Sequence, residues 1–169
     1  MAEPVYNVLF LCTGNSARSI FAEALLTRWG QRNFRAFSAG SHPRGAVHPL
    51  ALELLTKYGL PTEGLRSKSW SEFERADAPR LDFVFTVCDK AAAEICPAWP
   101  GQPMSAHWGV EDPASVEGTA EVKRQAFRQA YHVLEARIRL FVSLPIAKLE
   151  TIRLKAELDE IGRTSPSEP

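Results

Sequence analysis

No part of this chain stays apolar for long. It has no run of about 18 apolar residues, and no basic start followed by an apolar stretch. Val8 to Leu11 is far too short to cross a bilayer or to act as a signal core, so the cytoplasm is the expected location and no membrane partner is implied. Charge of one sign is lacking too. Lys plus Arg and Asp plus Glu number 20 each, and the resulting net charge of zero gives no electrostatic case for nucleic acid or an acidic membrane. Cysteine is scarce and odd in number, with three in 169 residues. That count argues against a secreted disulfide scaffold and suits a reducing compartment, where a disulfide forms only as part of chemistry. No internal repeat appears, and the length fits one domain with a sizeable core.

What is present is concentrated in Val8-Leu9-Phe10-Leu11-Cys12-Thr13-Gly14-Asn15-Ser16-Ala17-Arg18-Ser19. An apolar run reads as a buried strand, seven residues lead from a cysteine to an arginine, and Ile20 to Leu26 reads as a helix. Strand, tight polar loop and helix start together form an anion cradle, because loop N–H groups converge and the helix N-terminus adds partial positive charge. Gly14 and Asn15 tolerate the backbone angles such a loop requires. Cys12 would feel that field, which favours thiolate, and Arg18 can grip two oxygens of a tetrahedral oxyanion with its planar fork. The bland alternative is a buried structural cysteine near a surface arginine.

The remaining pattern alternates strands with helices. Strands are expected at Val5 to Leu11, Phe34 to Ser38, Leu81 to Val87 and Met104 to His107. Helices are expected from Ser19 to about Arg32, from Pro49 to Tyr58, and briefly from Ser69 to Arg75. A further one is expected from Asp89 to Ile95, and a long one capped by Thr119 puts Phe127, Tyr131, Leu134, Ile138 and Phe141 on one face. Pro145 breaks that pattern. Leu149, Ile152, Leu154, Leu158 and Ile161 then suggest a last helix, whose apolar spacing serves either the core or a homodimer contact, before a disordered Ser/Pro-rich tail. The expected fold is α/β, a single-domain parallel sheet flanked by helices, with residues 1–143 as the catalytic domain and 144–169 as a C-terminal extension. In such sheets ligands bind beyond the carboxyl ends of strands, and Cys12 and Cys88 both directly follow one.

Cys88 and Cys96 each have a simple alternative role as a small core residue. A zinc site completed by His107 is disfavoured, since no compact C-x2-C or H-x3-H spacing occurs, and no metal or bound cofactor is expected. A redox pairing would have a geometric consequence. In a continuous helix the two Cα atoms would lie roughly 12 Å apart, whereas a disulfide needs them within about 7 Å. Asp112 precedes Pro113, which fixes a turn that presents its carboxyl; near an oxyanion, such an acid can protonate a leaving oxygen. An ordinary Asp-Pro turn is the alternative.

VLFLCTGNSARSIFAEALL resembles the phosphate-binding loop of the low-molecular-weight protein tyrosine phosphatases and of the arsenate reductases built on the same fold. The similarity continues through Ser38-Ala39-Gly40, Phe85-Thr86-Val87-Cys88, Cys96-Pro97 and the stretch from Ala106 to Ala114, covering roughly residues 5–142. The two downstream cysteines resemble the reductase branch. The resemblance implies a low-molecular-weight phosphotyrosine phosphatase-like fold and an arsenate reductase serving arsenical resistance. In it Cys12 is the nucleophile, Arg18 the oxyanion clamp and Asp112 the general acid. Thr13, Gly14, Asn15, Ser16, Ala17, Arg18 and Ser19 would bind arsenate or phosphate, with Asn15 and Ser19 supporting the loop and the thiolate. Cys88 and Cys96 would relay a redox-active disulfide to an external thiol, either thioredoxin, a glutaredoxin-type protein or a glutathione- or mycothiol-type compound.

The chain departs from that pattern at three points. Residues beyond about 143 exceed the compact family core. The Cys88–Cys96 spacing is one residue longer than in thioredoxin-coupled members. Lys68 stands about where some relatives carry an acidic ligand for a potassium ion; a solvated surface lysine is expected there, with an ammonium replacing the cation as the alternative. Two rival functions share the motif. A phosphotyrosine phosphatase would resolve its intermediate with water, but Ala114 and Ser115 follow Asp112-Pro113 where ring-sandwiching aromatics usually stand. A non-catalytic oxyanion or thiol sensor would bind through Cys12 without turnover. If Cys88 and Cys96 pair, residues 89–96 must unwind; hydrogen exchange should then show that segment protected in the reduced protein and unprotected in the oxidised one, and equal protection would remove the pairing.

Overall fold

A computed structural model describes residues 4–89, 99 and 101–165. The expected helix from Asp89 to Ile95, the cysteine at 96 and the Ser/Pro-rich tail lie, but for Asp89 and Ser165, outside the described residues. Four parallel strands, β1 (Tyr6–Leu11), β2 (Phe34–Ala39), β3 (Phe83–Thr86) and β4 (Met104–His107), form one sheet in the order β2-β1-β3-β4. The β1 strand is central. Val8 and Phe10 face the larger core and Leu9 and Leu11 the smaller one, so a continuous apolar run is what a strand covered on both faces requires.

Helix α1 (Arg18–Gly30) crosses from β1 to β2, and α2 (Pro49–Lys57) follows. Pro49 sits in the first turn of α2, and Gly59, at φ 75°, ends it. There Gly59 N–H bonds the Thr56 carbonyl and Leu60 N–H bonds that of Leu55, satisfying carbonyls that the helix leaves open. The segment from Ser69 to Arg75 is shorter than expected, a 3-10 turn over Trp70–Phe73 capped by Ser69. Helix α3 (Ala120–Val142) is capped by Thr119, whose Oγ1 accepts from Val122 N–H at 3.2 Å, and it buries Phe127, Tyr131, Leu134, Ile138 and Phe141. At its far end Phe141 meets Phe83, Phe85 and Trp108 edge-on, while Phe85 and Trp108 stack 4.0 Å apart.

Helix α4 (Thr151–Ile161) completes the larger core. Leu154, Leu158 and Ile161 are buried there, whereas Ile152 faces outward and is 86% exposed. Apolar spacing alone could not separate those two fates. Lys155 bonds the Ser105 carbonyl on the outer strand β4, so α4 also occupies backbone that an edge strand would otherwise offer to another chain. No helix among the described residues is long and apolar enough to cross a membrane. In urea denaturation, Leu158→Ala should cost about 2–5 kcal/mol of stability and Ile152→Ala within about 0.5 kcal/mol of none. Equal losses would show that α4 is not part of the core.

Candidate active site

With strand order β2-β1-β3-β4, the chain leaves β1 in one direction and returns on its other side. The crevice between the carboxyl ends of β1 and β3 is where such sheets hold ligands. Leu11 pairs with Thr86 at that edge and Val87 N–H bonds the Leu11 carbonyl at 2.9 Å, which brings the residues following each strand side by side. Cys12 follows β1 directly and Cys88 stands two residues beyond β3. Both are buried, and the Cys88 side chain stands close enough to Cys12 to push its thiol pKa up. Cys88 Sγ also lies 3.7 Å from Thr13 Oγ1.

The loop from Cys12 to Ala17 is shaped from outside. His42, Arg44 and His48 donate backbone N–H groups to the carbonyls of Thr13, Gly14 and Ser16 at 2.9, 3.0 and 2.9 Å. With three of its carbonyls engaged from outside, the loop keeps the Gly14 N–H where it lowers the Cys12 pKa. Helix α1 begins at Arg18 without any side-chain cap on its first N–H groups, which leaves its positive end open toward the loop. Asn15 carries the left-handed turn, at φ 44° and fully buried; Gly14 does not adopt a positive φ. Gly14 instead gives room to Arg44, whose Nε would stand 3.1 Å from an added Cβ. Asn15 locks the turn by donating to Ser19 Oγ and accepting from Lys68 N–H, both at 2.8 Å.

Lys68 corrects the expectation of a solvated surface lysine. Its side chain is only 9% exposed, and its ammonium stands 3.8 Å from Glu23 and 2.8 Å from the Arg66 carbonyl, while Ser38 donates to Glu23 at 2.6 Å. Burial pushes the Glu23 carboxyl up and the Lys68 ammonium down from their ordinary values, and each partner opposes the other's shift. A lysine paired with a carboxylate thus backs the loop. The signal in the sequence was Glu23, a carboxylate inside the apolar run Ile20 to Leu26.

Arg18 and Asp112 meet at the mouth. Arg18 donates to the Val110 carbonyl at 2.8 Å and lies 3.7 Å from Asp112 Oδ2. Asp112 caps the 3-10 turn Pro113–Ser115, accepting from Ala114 N–H at 3.0 Å, and its side chain is about one-third exposed. His107 holds the approach to this turn, bonded through Nε2 to Asp89 and through Nδ1 to Thr86, both at 2.7 Å. The structure therefore brings Cys12, Arg18, Asp112, Cys88 and the loop residues to one place; Cys96 lies outside the described residues. His48 was not foreseen; its Nδ1 accepts from Leu50 N–H at the start of α2, tying that helix to the loop.

The ionisation of Cys12 differs from the sequence expectation. Its thiol is pushed well above the ordinary cysteine value, first by the hydrogen bond with Cys88 and then by burial, while Arg18 and the Gly14 N–H pull the other way. The positive field is present, yet it is outweighed because a second thiol competes for the same proton in a site that excludes water.

A cysteine and an arginine bracketing an amide-lined turn between strand and helix define a phosphate-loop protein on a parallel sheet. Residues 7–156 match the low molecular weight phosphotyrosine protein phosphatase family, and the chain belongs to it. An arsenate reductase of Halalkalibacterium halodurans is 34% identical over 138 residues, which are 79% of this chain and 93% of that protein. Among solved structures, a thioredoxin-dependent arsenate reductase of Corynebacterium glutamicum shares 29% identity at a TM-score of 0.64, covering 88% of this chain and 66% of that one. An arsenate reductase of Archaeoglobus fulgidus shares 27% identity at a TM-score of 0.65, covering 81% and 99%.

Removing the competing thiol should release Cys12. In Cys88→Ala, the pH midpoint for iodoacetamide alkylation of Cys12 should fall relative to Cys96→Ser, which keeps Cys88. An unchanged or higher midpoint would mean that burial alone, and not Cys88, holds the proton.

Proposed function

We propose that this enzyme reduces arsenate to arsenite by means of Cys12 and a relay through Cys88 and Cys96. The observation that carries the reading is a second buried cysteine, Cys88, beside Cys12 at the carboxyl ends of the paired strands β1 and β3 and close enough to raise its pKa. A phosphatase needs only water at that place, whereas a reductase needs a second sulfur within reach of the first. The likeness to arsenate reductases supports the same reading.

Arsenate enters the loop against its amides, the open end of α1 and the Arg18 guanidinium. The Cys12 sulfur attacks arsenic, and Asp112 protonates the departing oxygen, which leaves as water and yields a Cys12–arsenic adduct. Cys88, as thiolate, then attacks the Cys12 sulfur. The electron pair of the sulfur–arsenic bond stays with arsenic, which goes from the +5 to the +3 state and departs as arsenite, while a Cys12–Cys88 disulfide forms. Cys96 attacks Cys88 in turn, restoring the Cys12 thiolate, and an external dithiol such as thioredoxin, or a glutathione-type thiol, supplies two electrons to reopen the Cys88–Cys96 bond.

Phosphate has the shape and charge of arsenate but does not accept the electron pair, so slow aryl phosphate hydrolysis through the same loop is an expected by-product. Arsenite release with thioredoxin or a glutathione-type thiol, assayed beside aryl phosphate hydrolysis, separates the roles. Cys12→Ser should abolish both activities. Cys88→Ser should abolish arsenite release while leaving aryl phosphate hydrolysis measurable, and Cys96→Ser should stop arsenite release after about one turnover. Full multiple turnover in Cys96→Ser removes the relay; arsenite release that persists in Cys88→Ser removes the reductase mechanism.

A further inference from the structure

Three consecutive carbonyls, those of Trp108, Gly109 and Val110, lie on the segment that delivers Asp112, and two arginines hold them. Arg18 takes Val110 from the side of the loop. From behind, Arg137 Nη1 donates to Trp108 and Gly109 at 2.8 and 3.0 Å, and its Nε donates to Thr164 at 3.0 Å. Arg137 projects from α3 among buried apolar neighbours, is only 5% exposed, and pairs with no carboxylate among the described residues. Burying a guanidinium is costly unless its fixed fork of donors meets matching acceptors, and here every recorded acceptor is a backbone carbonyl.

The third acceptor, Thr164, brings in the C-terminal helix. Trp108 Nε1 donates to the Leu158 carbonyl at 3.0 Å, and Gly162 packs so closely on the His107 carbonyl that a Cβ there would collide with it. One side of the acid segment borders open space. A pocket of about 280 Å³ is lined by residues 109–113 together with Ala130 and Val133 of α3, Arg137 and Ser165. With that space beside it, the segment relies on polar ties as well as on its buried Trp108 and Pro113.

We infer that Arg137 is a positioning residue for Asp112, acting through the Trp108 and Gly109 carbonyls with α4 and residues 162–164 as its splint. This rests on Asp112 being the general acid. A carboxyl that has shifted by an ångström protonates a poor leaving group inefficiently, while a good leaving group needs no proton. Loss of Arg137 should therefore appear as a dependence on the leaving group, which a general loss of folded protein would not produce.

The test compares phenyl phosphate and dinitrophenyl phosphate as substrates of wild type, Arg137→Lys, Arg137→Gln and Gly162→Ala in the full chain, with amide hydrogen exchange on the same proteins. The two arginine variants should lose about tenfold on phenyl phosphate and less than about twofold on dinitrophenyl phosphate, with Gly162→Ala changing in the same direction. Exchange should quicken at Val110 and Ala114, whose N–H groups bond Val87 and Asp112, and stay unchanged at Cys12 and Phe21 beside the loop. Equal losses on both substrates, or unchanged exchange at Val110 and Ala114 in every variant, would overturn the inference. Asp112→Asn separates its failure from that of the acid assignment. If Asp112→Asn steepens the leaving-group dependence and the Arg137 variants do not, the positioning role alone is wrong; if Asp112→Asn leaves the dependence unchanged, the acid is wrong and the inference falls with it.

Discussion

The structure depends on where a few carbonyls point. Three carbonyls of the loop after β1 are claimed by N–H groups from residues 42–48, and that constraint fixes the course of the loop beside the Cys12 sulfur. Nothing in the loop's own sequence could accomplish this alone. The donors come from the connection between β2 and α2, positioned because β2 pairs with β1 in register up to Ala39. Gly40 then passes so close to Cys12 and Thr13 that a side chain there would strike their carbonyls. Sheet register, a close glycine and three backbone bonds therefore build the anion site together, and the acid is added from the other edge through β4.

Much of this was legible from the residues. The strand at Val8 to Leu11, the helix after Arg18 and the long helix from Thr119 each show a pattern whose period and caps agree, and each was found with ends shifted by a residue or two. The chemistry was legible where types and spacing coincide, as in Cys12 with Arg18, or Asp112 with Pro113. Contacts between elements distant in the chain were not. Lys68 looks like any loop lysine until Asn15 and Glu23 close over it, and Arg137 looks like one more charge on a long helix until the carbonyls of β4's exit face it. Each leaves only a faint local trace, a charged group on an otherwise apolar face, and such a trace cannot name its partner. Gly14 taught the converse: the residue with freedom to turn left-handed did not need it, because Asn15 takes that angle and uses its amide to secure it.

Positive charge is distributed around the loop in a graded way. Lys68 lies behind it, largely buried and neutralised in part by Glu23. Arg18 lies at the mouth, tied to Val110 and facing Asp112, so the proposed anion clamp also touches the segment carrying the proposed acid. An anion that draws on Arg18 therefore acts on Asp112 through one side chain. The interaction of Arg18 with Asp112 is partly exposed and spans 3.7 Å, so it orients more than it stabilises.

The two buried thiols resolve what first looks like a conflict between a field that favours thiolate and a sulfur that keeps its proton. Two adjacent buried sulfurs resist ionising together, so Cys88 and burial push the Cys12 pKa up against the pull of Arg18 and the Gly14 N–H. The positive end of α1, Arg18 and the loop amides are arranged to receive a negative charge, and an arriving oxyanion supplies one along with basic oxygens that can take a proton. Once the Cys12 sulfur is bound covalently, it no longer competes with Cys88 for that proton. In the proposed relay, the Cys88 sulfur that had held the Cys12 pKa up is then the nucleophile that attacks it, so one neighbour both restrains the first thiol before substrate arrives and completes the reaction afterwards.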